Sequence, residues 1–182
     1  MKTLRSYVNG RWHESDSGHA WLVDPSTEER VARASSAGID FAAVIEHART
    51  KGGPALRDMT FAERGALLKQ MSRVLRDHRD ELFEISRLNS GTTTPDASFD
   101  IDGGGGAIAY YAALSRTLGE GRVLPEGEPT PLSKDGSFQA RHVLLPRPGA
   151  AVLINAFNFP AWGFAEKAAC AIGEDGLPEP RT

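Results

Sequence analysis

Apolar residues along this chain alternate between strand-like and helix-like spacing, and the changes of period mark out its elements. Near the start, Tyr7, Val8 and Trp12 flank Asn9-Gly10, the strongest short hairpin signal a sequence can carry, so Arg5 to Trp12 is expected to fold back on itself. Ala20 to Val23 and Arg30 to Ala34 read as a second pair of short strands separated by the turn residues Asp24-Pro25-Ser26-Thr27. The spacing then becomes helical. Ile39, Phe41, Ala42, Ile45 and Ala48 share one face, Asp40 suits the dipole of the first turn, and Gly52-Gly53-Pro54 is expected to end the helix. Residues 55–59 read as a connection.

Thr60 followed by Glu63 is a capping-box pattern. Phe61, Gly65, Leu68, Met71, Leu75, Leu82 and Ile85 continue as one stripe, which predicts a single helix to about Leu88, stopped by Asn89-Ser90-Gly91. The charged residues between Arg73 and Glu84 read as a solvated face with local ion pairs, and His78 as a partly buried structural residue. Thr94-Pro95 reads as a cap with proline in the first turn, opening a third helix from Asp96 to about Leu118. That helix contains Gly103 to Gly106, each costing up to about 1 kcal/mol relative to alanine, so close approach of another helix or of a substrate chain is expected to offset them. A phosphate loop does not fit, because no strand precedes the glycines and no Lys-Ser/Thr follows. Residues Glu120 to Pro131 read as an exposed excursion, and Ser137 to Leu145 alternates as a strand should.

The stretch with the most chemistry in it follows the turn Pro146-Arg147-Pro148-Gly149. Ala151 to Ala156 is apolar but for Asn155 and reads as a buried strand; Phe157-Asn158-Phe159 breaks the pattern, and Pro160 opens a helix over Ala161 to Ala171. In open α/β sheets ligands bind at the carboxyl ends of strands, where the 155–158 loop would lie. Asn158 there fits two roles. Its amide could cap the helix, or it could donate to an oxygen that gains negative charge when a carbonyl is attacked.

Composition narrows the partners. Among 182 residues, 40% are hydrophobic and 25% charged, with net charge −3, which gives no case for nucleic acid or an anionic membrane as partner. No apolar run is long enough to span a bilayer, the N-terminus lacks the apolar core of a secretory signal, and one cysteine is compatible with a reducing cytoplasm. His13, His19, His47, His78 and His142 have no i, i+4 pairing, so no metal site is expected. Cys170, among alanines on the helix after Asn158, reads as an inert thiol rather than a nucleophile, and Glu166 as a surface or packing residue rather than a general base.

The motif INAFNFPAWGFAEKAA, residues 154–169, resembles the strand-loop-helix of the aldehyde dehydrogenase superfamily. Together with DIDGGGGAIAYYAAL and the LSKDGSF and RHVL runs upstream, it is similar to a branch of CoA-linked semialdehyde dehydrogenases from bacterial phenylacetate and benzoyl-CoA degradation. The resemblance covers almost all of residues 4–170. It implies an α/β fold that is the N-terminal part of an aldehyde dehydrogenase: β-hairpins, three helices and a connecting strand in 1–145, then the first strand-helix unit of a Rossmann-like domain in 146–171. The implied reaction is NAD- or NADP-dependent oxidation of an aldehyde, in this branch a CoA thioester, to a carboxylate by a homodimeric enzyme. Asn158 carries over as the oxyanion donor. Asn155, Ala156, Phe157 and Asn158 carry over as the loop passing the cofactor, and Phe159 and Trp162 as walls of the substrate tunnel.

After Ala171 the family pattern stops. The family continues into a second strand ending in Lys-Pro; here residues 172–182 carry three acids, two prolines and two glycines. The cofactor-contacting lysine, the nucleophilic cysteine and the general-base glutamate of the family pattern have no counterpart in this sequence. The expectation is an inactive N-terminal portion of a longer enzyme whose tail was altered by a frameshift or a mispredicted gene end. The competing expectation is a short protein that binds a partner or a full-length homologue without doing chemistry.

Overall fold

The computed structural model describes residues 2–173; most of the polar tail expected at 172–182 lies outside the described residues. Ser6–Val8 (β2) and Arg11–His13 (β3) form the expected hairpin, with Asn9 at φ 51° and Gly10 at φ 80°, the two positive values that a type I′ turn needs. Ala20–Val23 (β4) pairs antiparallel with Arg30–Ala34 (β5). The two-residue strand Lys2–Thr3 (β1) adds to the far side of β5 in parallel.

The expected first helix does not stop at the glycines. Phe41–His47 (α1) passes through a π-type turn, Ala48–Gly52, into Gly53–Asp58 (α2). Gly52 and Gly53 both hold right-handed helical angles, φ −63° and −61°. The wider turn absorbs Pro54, whose missing N–H and bulky ring would break a regular one.

The long second helix is also two. Phe61–Asp77 (α3) and Arg79–Ser90 (α4) meet at His78, which leaves helical geometry at φ −102°, ψ 15° and is exposed rather than partly buried. The break lets both halves lie against Thr94–Leu118 (α5), and Arg79 at the corner reaches Asp102 of α5 through two 2.7 Å hydrogen bonds. The capping box on α3 is present: Thr60 Oγ1 accepts from the Glu63 amide at 3.2 Å and the Thr60 amide donates to Glu63 at 2.7 Å. Gly91, at φ 63°, ends α4 in the left-handed turn that favours glycine. For α5 the cap is Thr93, one residue before the expected Thr94.

Leu124–Pro131 (β6) is a strand where an irregular excursion was expected. It pairs antiparallel with Gln139–Leu144 (β7), and the resulting ribbon is solvent-exposed along most of its length. The core lies elsewhere. Leu68 of α3, Ile108 and Ala112 of α5, and Ala165 and Ala169 of the last helix, Pro160–Gly173 (α6), interlock, with Met71, Leu75, Tyr111 and Ile172 around them. Small residues on α5 and α6 let these backbones come close, so the three helices form one compact layer.

The strand expected at Ala151 to Ala156 is not formed. No ladder among the described residues includes it, and Val152 and Ile154 are 79% and 82% exposed. A parallel strand exists only through neighbours at its edges, and the described residues supply none.

Candidate functional site

The loop from Ile154 to Phe159 and the turn that follows it are fastened at three points, one by the next helix itself and two by helices far from it in sequence. Lys167, two turns along α6, donates to the Ile154 carbonyl at 2.7 Å and to Asn155 Oδ1 at 3.2 Å. Ser90, at the end of α4, donates its hydroxyl to the Phe157 carbonyl at 2.8 Å. The third point is the start of α6. Asp100 of α5 accepts from the Trp162 amide at 2.8 Å and from the Ala161 amide at 3.3 Å.

Asp100 is 1% exposed, and Ser86 of α4 donates to the same carboxylate at 3.3 Å. Two of the amides that a helix leaves unsatisfied at its N-terminus are therefore met by a buried anion, which also suits the positive end of the helix dipole. This removes the need for Asn158 as the cap. Asn158 itself is exposed, just ahead of the fixed turn of α6. Its carboxamide is presented to solvent from a loop whose backbone is held on both sides.

Phe159 and Trp162 come together beside it. Phe99 of α5 packs against Trp162 with ring centroids 4.7 Å apart and against Phe159 at 6.1 Å. The Trp162 ring lies on Gly103, where a Cβ would come within 2.4 Å of the indole. A Cβ at Gly104 would come within 3.3 Å of the Ala161 backbone, so helix crossing accounts for these two glycines. Gly105 and Gly106 face open space.

Cys170 sits on the exposed face of α6, not in the apolar surroundings expected for it. Ten residues of helix separate it from Pro160, about 15 Å along the axis, so it does not serve the Asn158 loop. Glu166 is exposed beside Lys167. The electrostatic pair nearest the glycine run is Arg79 with Asp102: hydrogen bonding to Arg79, helped by Ser98, holds the Asp102 carboxyl below the usual range. Among the described residues no group of three His, Cys, Asp or Glu side chains is placed to hold a metal ion. Clefts of about 510 Å³, under residues 146–151, and about 470 Å³, between α3, α5 and α6, are lined by neither Asn155 nor Asn158.

The sequence indicates the loop and its aromatics but not what holds them. Ser86, Ser90, Lys167 and Phe99 carry no local motif for their anchoring contacts. Asp100 alone leaves a signal, since it is an acid on the α5 face that carries Ala97, Gly104 and Ile108, at helical spacing from it.

A model of the aldehyde dehydrogenase family matches residues 12–174. The chain is 49% identical over 169 residues to a 3,4-dehydroadipyl-CoA semialdehyde dehydrogenase of Aromatoleum evansii, covering 93% of this chain and 33% of that protein. Its fold superposes on a 3,6-anhydro-L-galactose dehydrogenase with a TM-score of 0.79 at 23% identity, covering 96% of this chain and 35% of the other. Aldehyde dehydrogenase 21 of Physcomitrella patens gives 0.77 at 20%, covering 97% and 36%. The chain thus spans about a third of the length of the proteins it matches. With the loop-helix geometry, the α/β architecture and the match over residues 12–174 all in agreement, the chain belongs to the aldehyde dehydrogenase family.

Proposed function

We propose that this chain forms the oxyanion-binding part of an enzyme that oxidises an aldehyde carried on a CoA thioester to the corresponding carboxylate, with NAD or NADP as oxidant. The observation that carries the substrate class is the 49% identity to a CoA-semialdehyde dehydrogenase over nearly the whole chain. Nucleophile and general base belong to the part of the enzyme beyond the third represented here, and the whole enzyme acts as a homodimer. Residues 146–171 are the opening unit of its cofactor domain.

Within that reaction the role of the local residues follows from their chemistry. As a thiolate adds to the aldehyde carbon, the carbonyl oxygen gains negative charge, and the Asn158 carboxamide N–H donates to it. Bound beside the loop, a nicotinamide would supply the hydride acceptor for that carbon; the Staphylococcus aureus betaine aldehyde dehydrogenase, a structural relative at 20% identity, holds NAD+. The cofactor fits this segment only in part. Asn155, Ala156, Phe157 and Asn158 offer a surface for it to pass, but the first amides of α6 are occupied by Asp100, so α6 is no seat for its phosphates. Phe159 and Trp162, backed by Phe99, supply an aromatic wall for the acyl chain.

The test is Asn158→Ala in the polypeptide that carries this segment together with the remaining two-thirds of its relatives' length. Loss of one such donor lowers kcat by about 100- to 1,000-fold, and the affinity for NAD(P) measured by titration stays as it was. An unchanged kcat removes Asn158 from the mechanism.

A further inference from the structure

We infer that Asp100 is a positioning residue for Asn158, acting through the backbone of α6. The inference rests on the oxyanion role proposed above for Asn158.

The argument begins with where the loop gets its rigidity. Asn158 lies two residues before Pro160, the first residue of the helix, so its direction is set by how the first turn of α6 is seated. That turn starts at Pro160, which supplies no N–H, and its next two amides, Ala161 and Trp162, both point at Asp100. The contact bridges 61 and 62 positions of sequence and is the direct polar tie between α5 and the beginning of α6. Asp100 cannot drift, because its own side chain is closed off from water and Ser86 holds one oxygen from the other side. Rotation of the α6 terminus about this point is then blocked by Trp162, whose ring lies against Phe99 and on the bare backbone at Gly103, one turn further along α5. A carboxylate and an indole thus fix two directions of the same turn, and the Ser90 bond to the Phe157 carbonyl fixes the chain just ahead of Asn158.

A side chain fits this task only if it accepts two hydrogen bonds at once and carries a negative charge toward the helix terminus. Aspartate does both. Asparagine retains one acceptor oxygen of the same shape without the charge, and alanine retains neither. Loss of the tie lets the first turn move, and displacement of a reacting group by about 1 Å lowers a rate by about 100-fold.

The experiment is a double-mutant cycle in the same full-length polypeptide, with Asp100→Ala, Asp100→Asn, Asn158→Ala and the combination Asp100→Ala with Asn158→Ala. Expected results are a fall in kcat of about 10- to 100-fold for Asp100→Ala, a smaller fall for Asp100→Asn, and little change in KM for either. In the Asn158→Ala background, Asp100→Ala should lower kcat no further, because the group it positions is gone. Faster amide exchange over residues 157–165, with residues 106–115 of α5 unchanged, is the accompanying structural signature. Equal, multiplying losses in the two backgrounds would overturn the inference and leave Asp100 a general stabiliser. So would an unaltered kcat for Asp100→Ala while Asn158→Ala remains slow. Should Asn158→Ala itself turn over normally, it is the oxyanion reading that fails, and the exchange data still report whether Asp100 seats the loop. If Asp100→Ala does not fold, Asp100→Asn carries the cycle: an effect that persists undiminished beside Asn158→Ala overturns the inference in the same way.

Discussion

The glycine run in α5 sets up a comparison between residues three positions apart. Gly103→Ala and Gly106→Ala add the same methyl group to the same helix, and each gains up to about 1 kcal/mol of helix propensity. Gly106 opens on nothing within 4 Å, so its variant keeps the gain. At Gly103 the new Cβ would come within 2.4, 2.7 and 2.9 Å of three Trp162 ring carbons, and the ring has Phe99 behind it. Overpacking of that kind costs about 1–3 kcal/mol. Subtracting the propensity gain leaves Gly103→Ala between neutral and about 2 kcal/mol destabilised, while Gly106→Ala is stabilised by about 1 kcal/mol. The gap between them is the overpacking term, about 1–3 kcal/mol, or roughly 2–12 °C in Tm for a chain of this size. Urea unfolding of the two variants beside the parent, followed by circular dichroism, measures it. Equal stabilisation by both substitutions would refute the reasoning, since it would mean that Trp162 is not clamped against α5 and that the aromatic wall beside Asn158 is loose.

Two other outcomes follow from the same structure. Gly65→Ala in α3 would set its Cβ 2.9 Å from the Ala112 carbonyl and 3.1 Å from Ser115 Cβ, atoms that cannot rotate away, so after the same propensity gain a net change between neutral and about 2 kcal/mol destabilised is expected in the same unfolding assay; a stabilised variant would show that α3 and α5 are not this close. Asp135, in the turn between β6 and β7, accepts from the Ser133 and Ser137 hydroxyls and from the Ser137 amide, which hold its carboxyl at about 2 against an ordinary 3.8. Because the folded value is the lower one, its contribution to the turn is complete above the ordinary carboxylate range and disappears as pH falls toward 2; an NMR titration of the Asp135 carboxyl with a midpoint near 4 would contradict this.

Local chemistry made much of this fold legible. Asn9-Gly10 specified a hairpin, Thr60 and Glu63 a helix start, and Gly91 a helix stop, because each acts within a few residues. The misread places are those where distant residues decide. The apolar stripe runs through His78 without interruption, and only Arg79 reaching Asp102 shows why the helix turns there. Pro54 stops a regular helix but not one that widens by a residue. Leu124 to Pro131 is poor in strand formers, and it becomes a strand because β7 lies beside it. The reverse holds for Ala151 to Ala156, whose composition is that of a strand but which has no neighbour among the described residues. At the site, the loop that carries Asn158 could be read from its two aromatics and its proline, whereas the partner of the buried acid Asp100 could not, since nothing in a sequence links positions 61 residues apart.

The unpaired stretch around Val152 and Ile154 bears on how this polypeptide behaves in a crowded solution. A run of branched side chains with no ladder partner among the described residues accepts any strand that reaches it first. Correct neighbours must win a race against copies of the same stretch on other molecules, and that race grows harder in proportion to concentration. Yield of soluble protein should therefore depend on dilution and on rapid arrival of the intended strands, making 151–156 the segment that a holding chaperone would have most reason to cover.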